Sequence, residues 1–592
     1  MYGFHNKILN VDLTGKKYWS EEIPESILKS TLGGRGLGAY LLWKNLKPGT
    51  DPLSPENVLI FVTGPATATK MMGAGRHGII SKSPLTGYFA DSYSGGFVAP
   101  QIKKTGYDAI LIKGASSSPV YLEISDTTVK FHDATHLWGK DTYETEDAVL
   151  KEVGVPHAQA VVIGPAGENL VAFACVENNY WRSAGRCGMG AVMGSKKLKA
   201  IVFHGEKECQ LANDNLLNEY VRSLVKKGKG NPGVEAYRKY GTPQMVAILN
   251  KARAWPSEYW SKGAFEEWER LSADTLLNEF EVKPHACYRC FMACGKISKV
   301  LKGRHEGLQI EGPEHETIYA FGGQCRINSL EEIAYLNDIC DRAGIDTITS
   351  GNLIAFLMEL SKRGRIKEKI EYGDPDKVAE LLHKIVKREG IGDVLARGIK
   401  YAAKHFNAED IAVHVKGLDP AGFDPRTLKG MGLQYGTSPR GACHLTATFY
   451  KPELAGIIPP EKVEGKAKML VEWEDRMTIF DTLILCRFFR DLIQWEDLIT
   501  IIKATTGVEY TTEKLKKMAN DISTLRRMIS MREGLTREDD MLPRRLFTEP
   551  RRDDGKVVDE KEYLYMLDEY YNLRGWDKEG NPIRIPEYIN QR

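Results

Sequence analysis

Three cysteines, Cys287, Cys290 and Cys294, lie within eight residues of one another. Thiolates at this spacing can turn toward one centre, and a [4Fe-4S] cluster is held by four of them. The spacing therefore favours an iron–sulfur cluster, and the fourth thiolate has to come from elsewhere in the chain. The candidates for it are Cys175, Cys187, Cys209, Cys325, Cys340, Cys443 and Cys486.

Two other interpretations of the triplet remain open at this point. A structural zinc site could use the three cysteines and either His285 or His305 as its fourth ligand, which would describe a non-catalytic protein stabilised by zinc. A disulfide framework is the weaker interpretation, because 10 cysteines in 592 residues is ordinary usage for a large chain.

Length and charge limit the functional class. A chain of 592 residues is long enough for three or four domains. Its 81 basic and 79 acidic residues nearly cancel, which argues against a nucleic-acid groove or a polybasic membrane patch. The first residues lack the pattern of a signal peptide, and no apolar run approaches the ~18 residues of a membrane span. We therefore expect a cytoplasmic protein.

The order of predicted elements indicates an α+β fold. Residues up to about 205 contain short β-rich runs between glycine turns, and helical periodicity follows. We predict a β-rich cofactor-cradling domain over 1–208 and two mainly helical domains over 209–416 and 417–592. The predicted strands are Val58–Val62, Ala109–Lys113, Val120–Ile124, Ala160–Ile163 and Lys199–Phe203, and helical texture covers 352–362, 379–388 and 461–485.

One helix has clear boundary signals. Ser329 is its predicted N-cap, and Glu332 three residues later completes a capping box. Gly344 can end the helix in the left-handed conformation. Asp341 then lies in the last turn, where its carboxylate can point past the helix end toward a ligand.

Four glycine loops occupy the β-rich part: 33–38, 73–78, 95–96 and 182–190. Backbone amides without Cβ obstruction form anion cradles, usually for phosphate. Three of the loops carry arginine, namely Arg35, Arg76, and Arg182 with Arg186. The first loop lacks the dinucleotide-binding spacing. Together the loops favour a large ligand with more than one phosphate.

A set of motifs along the whole chain resembles the aldehyde:ferredoxin oxidoreductase family of tungsten bis-pterin enzymes. The motifs are Gly33–Gly36, Gly75–Gly78, Gly164–Asn169, Arg182–Lys196, the cysteine triplet, Gly312–Thr317, Asp341–Asp346, Thr437–His444, Asp481–Cys486 and Arg574–Asp577. No single motif is specific for this family, but the number of motifs and their order along the chain are.

The resemblance implies two pyranopterins, bridged at their phosphates by Mg²⁺, that bind tungsten through dithiolene sulfurs; molybdenum is the alternative metal. Soft sulfur donors suit such a metal, so no protein ligand is required. The implied cofactor-binding residues are Arg35, Gly36, Arg76, Gly78, Ser92, Tyr93, Gly95, Arg182, Ser183, Arg186, Gly188, Asp341, Gly344, Ile345, Asp346, Asp481 and Leu485.

In this family, paired Asp-x-x-Gly-Leu motifs accept hydrogen bonds from the pterins. The motifs here resemble Asp341–Ile345 and Asp481–Leu485, and the second departs from the pattern because Ile484 stands where glycine is expected. The resemblance makes Cys486 the fourth cluster ligand. Most of the remaining cysteines are then predicted to be apolar core residues.

The family's catalytic positions resemble Glu316 and His444. Glu316 is the predicted base for the attacking water, with Glu314 as the alternative, and His444 is the predicted hydrogen-bond donor to the aldehyde oxygen. An isolated histidine would more simply be a core residue, but the motif around His444 favours the catalytic role. His315 is expected to shape the pocket, and the residues near Phe449 and Tyr450 indicate an apolar lining.

The leading functional prediction is an oxidoreductase that converts aldehydes to carboxylic acids, or the reverse, through the [4Fe-4S] cluster and ferredoxin. The alternative within the family is the catalytic subunit of a dearomatising aryl-CoA reductase. We expect ferredoxin or a ferredoxin-like subunit as partner, and an oligomeric protein.

Overall fold

The computed structural model describes residues 1–590, in which β-strands predominate before residue 205 and helices after it. This α+β architecture confirms the predicted fold class. The strands are β1 (Lys7–Asp12), β2 (Lys17–Glu22), β3 (Leu59–Val62), β4 (His77–Lys82), β5 (Phe89–Ser94), β6 (Ala109–Lys113), β7 (Val120–Ile124), β8 (Val129–Asp133), β9 (Gln159–Val162), β10 (Val176–Asn178), β11 (Arg182–Ala184), β12 (Leu198–Phe203), β13 (Phe280–His285), β14 (Gly295–Val300) and β15 (Gln309–Glu311).

Two six-stranded sheets and one three-stranded sheet arise from these strands, in the orders β2-β1-β6-β3-β4-β5, β11-β10-β9-β12-β7-β8 and β13-β14-β15. In the first sheet, β4 and β5 pair antiparallel, with Gly78 opposite Tyr93 and Ile79 opposite Ser92. This register brings Arg76, before β4, beside Gly95, after β5. The β10–β11 hairpin of the second sheet carries Arg182 and Ser183.

The α-helices lie mostly after residue 205. They are α1 (Glu25–Thr31), α2 (Gly34–Asn45), α3 (Val98–Lys104), α4 (Thr142–Val153), α5 (Pro165–Glu168), α6 (Met189–Ser195), α7 (Asp214–Gly228), α8 (Pro232–Tyr240), α9 (Gln244–Lys251), α10 (Ala273–Glu279), α11 (His315–Thr317), α12 (Leu330–Ala343), α13 (Thr347–Lys362), α14 (Pro375–Lys387), α15 (Ile391–Ala396), α16 (Ile399–His405), α17 (Lys429–Thr437), α18 (Tyr450–Leu454), α19 (Lys466–Leu483), α20 (Trp495–Thr506), α21 (Thr512–Met531), α22 (Arg544–Thr548) and α23 (Glu560–Arg574). A π-helical turn, Ile318–Gln324, directly follows α11.

The two ends of α12 lie where the boundary signals predict, but the predicted capping box is wrong, because the Glu332 carboxylate pairs with Arg304 and His305 instead of the Ser329 amide. Ser329 accepts a hydrogen bond from the Glu332 amide at 3.4 Å, and Gly344 ends the helix with φ 72° and ψ 56°. Two predicted strands, Ala109–Lys113 and Val120–Ile124, have the predicted bounds.

The first predicted glycine loop is wrong, because helix α2 begins at Gly34 and includes the rest of it. The physical reason is close packing. A Cβ at Gly34 would lie 2.1 Å from the Asp481 carbonyl oxygen, and one at Gly36 would lie 2.2 Å from that of Thr31. Glycine lets α2 approach α19 closely, and Gly34 itself has a positive φ of 42°.

The largest apolar core is shared by all parts of the chain, since one cluster of buried residues includes Leu9, Leu353 and Trp576. A second cluster joins Leu32 to Leu483 of α19 and Ile522 of α21. The domain boundaries at 208 and 416 stay predictions. Within residues 1–590, no helix combines the length and apolarity that crossing a membrane would require.

Candidate active site

All four predicted cluster ligands line one cavity of about 300 Å³. The triplet Cys287, Cys290 and Cys294 lies in the connection between β13 and β14. Cys486 follows the end of α19, and its amide donates to the Gly73 carbonyl at 2.9 Å. The fold therefore brings Cys486 to the triplet across almost 200 residues of sequence.

Four free cysteines converge on this cavity, which fits a [4Fe-4S] cluster held by four thiolates. Within residues 1–590, no group of three or more His, Cys, Asp or Glu side chains is spaced to hold a single metal ion. Burial is the main cause that raises the pKa of Cys290 to about 12, and the nearby sulfurs of Cys486 and Cys287 add to it. Iron cations would hold the four cysteine sulfurs of this cavity as thiolates. His305, a candidate zinc ligand, instead contacts Glu332 at 3.2 Å.

A second cavity, of about 330 Å³, shares Arg76, Tyr93 and Ser183 with the first. The predicted cofactor-binding residues along it are Arg35, Arg76, Ser92, Tyr93, Ser183, Arg186, Asp341, Ile345 and Asp346. Gly95 and Arg182 line the cysteine cavity instead. We call the cavity lined by Arg35 and Asp341 the cofactor cavity, and the one lined by the four cysteines the cysteine cavity.

Unpartnered donors surround the cofactor cavity and point to an anionic ligand. They are Arg35 Nη1, Trp181 Nε1, Arg186 Nη1, Arg440 Nε and Arg487 Nε, all buried without a hydrogen-bond partner among residues 1–590. A buried donor left unsatisfied costs about 1–3 kcal/mol. Phosphate and pterin acceptors would satisfy these groups, so the residues present fit a phosphorylated pterin ligand.

Ion pairs fix the arginines in place. Arg35 pairs with Asp91 at 2.7 Å and with Asp481 at 2.6 Å, and Arg186 pairs with Asp346 at 3.0 Å. A guanidinium held on one side by a carboxylate keeps its remaining N–H groups in a set direction. The cavity wall is therefore preorganised for acceptor atoms.

Six predicted cofactor-binding residues line neither cavity: Gly36, Gly78, Gly188, Gly344, Asp481 and Leu485. The glycines permit close packing; a Cβ at Gly188, for example, would lie 2.1 Å from the Ala172 carbonyl oxygen. Asp481 lies behind the wall and pairs with Arg35 and Arg487. Leu485 is part of an apolar core. Direct contact of these six with a cofactor stays a prediction.

The predicted catalytic pair lies together, with Glu316 Oε1 3.9 Å from His444 Nε2. Burial alone would raise the pKa of Glu316, but His315, His444 and the Gly422 amide lower it to about 2. Burial is the main cause that lowers the pKa of His444 to about 3; Arg186 also lowers it, and Glu316 raises it. At neutral pH the pair is therefore a carboxylate beside a neutral imidazole.

A third cavity, also of about 330 Å³, opens from this pair and is mainly apolar. Its walls include Tyr237, Met245, Phe423, Tyr450 and Phe488. Phe423 and Tyr450 stack with ring centroids 4.2 Å apart. We call it the substrate cavity. Of the two residues near which an apolar lining is predicted, Tyr450 lines this cavity and Phe449 does not.

Arg76 and Glu314 line all three cavities. Arg76 Nη1 lies 3.8 Å from Cys486 Sγ, and its Nη2 donates to the Tyr93 carbonyl at 3.4 Å. Glu314 accepts a hydrogen bond from Thr242, and burial raises its pKa. These two residues connect the cysteine, cofactor and substrate cavities.

Family models decide the affiliation of the chain. The model for the N-terminal domain of aldehyde ferredoxin oxidoreductase matches residues 8–205, and the model for its domains 2 and 3 matches residues 219–585. The chain belongs to the aldehyde ferredoxin oxidoreductase family. As a member, it is an oxidoreductase.

Individual relatives of this family member differ in what they act on. The tungsten-containing aldehyde ferredoxin oxidoreductase of Pyrococcus abyssi is 38% identical, over 99% of this chain and 98% of the relative. The WOR-like subunit of an aliphatic sulfonate oxidoreductase from Pyrococcus furiosus is 32% identical over 98% and 96%. A solved structure of the active-site complex BamBC of benzoyl coenzyme A reductase, with 1,5-dienoyl-CoA, matches with TM-score 0.84 and 26% identity over 98% of this chain and 96% of that one.

Sequence reasoning missed several residues of this oxidoreductase's site. Arg440, Arg487 and Trp181 line the cofactor cavity with unpartnered donors, and Glu311 pairs with Arg182. A signal existed for three of them. Arg440 lies in the same motif as His444, Arg487 directly follows Cys486, and Trp181 directly precedes Arg182.

Proposed function

We propose that this protein oxidises aldehydes to carboxylic acids at a tungsten bis-pyranopterin centre, with Mg²⁺ bridging the pterin phosphates and molybdenum as the alternative metal. Electrons would pass through a [4Fe-4S] cluster to ferredoxin or a ferredoxin-like subunit. The observation that carries the proposal is that the apolar cavity and the donor-rich cavity meet at Glu316 and His444. Arg76 and Glu314 connect both of them to the cavity lined by four cysteines.

The overall reaction takes an aldehyde and water to a carboxylic acid, two protons and two electrons. The bound metal centre supplies the two-electron acceptor. The residues that would hold the groups are Cys287, Cys290, Cys294 and Cys486 for the cluster, and Arg35, Arg76, Arg186, Asp341 and Asp346 for the pterins.

The chain's own contribution is to orient water and aldehyde. Glu316, ionised in the resting site, accepts a hydrogen bond from the attacking water. The neutral ring of His444 donates to the carbonyl oxygen, where negative charge develops. Removing such a donor costs about 2–4 kcal/mol of transition-state stabilisation. Glu314 is the alternative proton acceptor, because burial raises its pKa toward neutrality.

The substrate cavity supports an uncharged aldehyde with a bulky apolar or aromatic group. Its cations, Arg76 and Arg487, lie at the cofactor end, and Arg487 is held by Asp481. A sulfonate or phosphate would have to leave water for aromatic walls without a dedicated cation, which is costly. Apolar contact with Phe423, Tyr450 and Phe488 would instead stabilise the organic group of an aldehyde.

The second candidate function is reduction of an aryl-CoA thioester. It is favoured by the aromatic walls of the substrate cavity and by the likeness to the benzoyl-CoA reductase complex. Both candidate functions need the same cofactors, so the substrate has to distinguish them.

The experiment is metal analysis of anaerobically purified protein combined with assays on aldehydes and on an aryl-CoA thioester. We expect about four iron atoms and one tungsten or molybdenum per chain, and dye reduction that depends on apolar aldehydes but not on sulfonates. Glu316→Gln and His444→Gln should abolish most of this activity, and His305→Gln, outside the three cavities, should retain it. Zinc alone, or activity only with the thioester, would exclude the proposal.

A further inference from the structure

His315 is a buried histidine without a defined task in the reaction proposed above. It is 3% exposed and directly precedes Glu316 on α11. Trp255 Nε1 donates to its Nε2 at 3.1 Å, and its Nδ1 lies 3.2 Å from Glu316 Oε1. The three side chains thus form one hydrogen-bonded chain that ends at the proposed catalytic carboxylate.

The chain has only one consistent set of donors. An indole N–H can donate but cannot accept. His315 Nε2 must therefore be the acceptor and carry no proton, and in the neutral ring the proton is on Nδ1. That N–H can then donate to Glu316 Oε1. Trp255, which is fully buried, fixes the tautomer from the far side of the ring.

The carboxylate of Glu316 is thereby held at both oxygens. Oε1 receives the His315 N–H, and Oε2 accepts from the Gly422 amide at 2.9 Å. A carboxylate with both oxygens engaged cannot rotate freely, so its remaining acceptor positions keep a set direction relative to His444. Without the His315 donor, one oxygen would lose that constraint.

We propose that Trp255 and His315 are positioning residues for Glu316. The indole selects the Nδ1–H tautomer of His315, and that N–H orients the carboxylate that accepts a hydrogen bond from the attacking water. The inference rests on the proposed function only in the task it gives to Glu316. The tautomer itself is a property of the chain that does not depend on the substrate.

Amide substitutions of His315 separate positioning from packing. His315→Asn keeps an N–H close to the position of Nδ1, whereas His315→Gln puts the amide close to that of Nε2. Trp255→Phe keeps the aromatic bulk and removes the donor. Trp260→Phe is the matched control, because Trp260 is also fully buried but donates to Asn352 at 3.2 Å.

In the loaded holoenzyme we expect kcat to fall about 10- to 100-fold in Trp255→Phe and His315→Gln, the range for losing a group that orients a functional ligand. KM should change less than about twofold in Trp255→Phe, since Trp255 does not line the substrate cavity. The acidic limb of the pH profile should move to higher pH, because a lost donor favours the protonated carboxyl. His315→Asn and Trp260→Phe should stay near wild type.

Equal impairment of the Asn and Gln variants, or an unchanged pH profile in Trp255→Phe, would overturn the inference. Neutron diffraction of the deuterated wild-type protein gives a second test that needs no turnover. Deuterium on His315 Nδ1 supports the inference, and deuterium on Nε2 overturns it. If aldehydes are not oxidised at all, the proposed function fails while the diffraction result still decides the tautomer.

Discussion

The ends of helices α12 and α19 have nearly the same backbone but different surroundings. The first ends at Gly344 with φ 72° and ψ 56°, and the second at Ile484 with φ 57° and ψ 42°. An aspartate precedes each of these residues by three positions, and a candidate site residue follows by two: Asp346 after the first and Cys486 after the second.

Charge distinguishes the two ends. Asp341 lines the cofactor cavity and accepts a hydrogen bond from Asn337 at 2.8 Å. Burial is the main cause that raises its pKa, and the nearby carboxylate of Glu177 adds to it. Asp481 lies outside the cavity and pairs with Arg35 and Arg487. The same local backbone therefore places an acid on the wall of the cofactor cavity at one end and compensates buried arginines at the other.

The largest expected effect concerns Cys486. The end of α19 contributes this residue to the cysteine cavity, and the end of α12 contributes none. Cys486→Ser removes the proposed fourth thiolate, so the cluster should not assemble with its four iron atoms. Cys340→Ser is the matched control at the first end, because Cys340 is buried but does not line that cavity. Iron analysis and EPR of the reduced protein check this. A normal [4Fe-4S] signal in Cys486→Ser would break the comparison.

The next effect separates the two aspartates by stability. Asp481→Asn leaves the buried Arg487 without its carboxylate and Arg35 with that of Asp91 alone, and breaking a buried ion pair costs about 3–5 kcal/mol. Asp341→Asn replaces an acid that has no ion pair with an isosteric amide and should cost less than ~1 kcal/mol. Denaturant midpoints of the two variants measure the difference. Similar losses would mean that the two ends are electrostatically alike.

A smaller effect is expected from pH. The pKa of Asp341 is raised in the folded protein, so from about pH 4, the ordinary value of an aspartate, up to that raised value the native state binds more protons than the unfolded state. The free energy of unfolding therefore falls as pH rises through this window. Asp341→Asn removes this contribution.

Denaturant midpoints across the acidic to neutral range test the sign. Wild type should lose stability relative to Asp341→Asn as pH rises, whereas Glu389→Gln, at an exposed position, should run parallel to wild type. An Asp341→Asn curve parallel to wild type would show that burial does not perturb this carboxyl.

These two helix ends also show how far sequence reasoning reached. The cap at Ser329, the end at Gly344 and the position of Cys486 follow from local patterns or from motif order, and all three can be read without a structure. The ion pairs of Asp481 could not be read, because Arg35 is 446 positions away in the sequence and its pairing depends on the approach of α2 to α19. The three adjoining cavities are likewise products of long-range packing.

The missed donors have the same explanation. Arg440 and Arg487 stand beside residues that were singled out, but an arginine next to a motif is more often a solvated surface residue. Only the tertiary structure buries both of them around one space. Local sequence thus identifies the elements that carry the site, whereas the charge balance between elements comes from the assembled fold.

The smallest expected effect isolates the backbone of the two ends. Ile484 is a buried β-branched residue with a positive φ of 57°, a conformation that costs an L-residue roughly 1–2 kcal/mol and glycine little. Ile484→Ala and Ile484→Gly both leave a cavity, but the alanine keeps the backbone strain. At ordinary helical positions glycine is the less stable of the two by about 1 kcal/mol. Here we expect Ile484→Gly to be the more stable by about that amount.

Gly344→Ala is the mirror-image change. It adds a Cβ to a left-handed residue, 3.1 Å from the Gly164 amide nitrogen, and should cost about 1–2 kcal/mol. Denaturant midpoints of the three variants give both differences. If Ile484→Ala is more stable than Ile484→Gly, the two helix ends do not share a left-handed backbone. The missing glycine of the second motif would then reflect a different local structure, not a strained copy of the first.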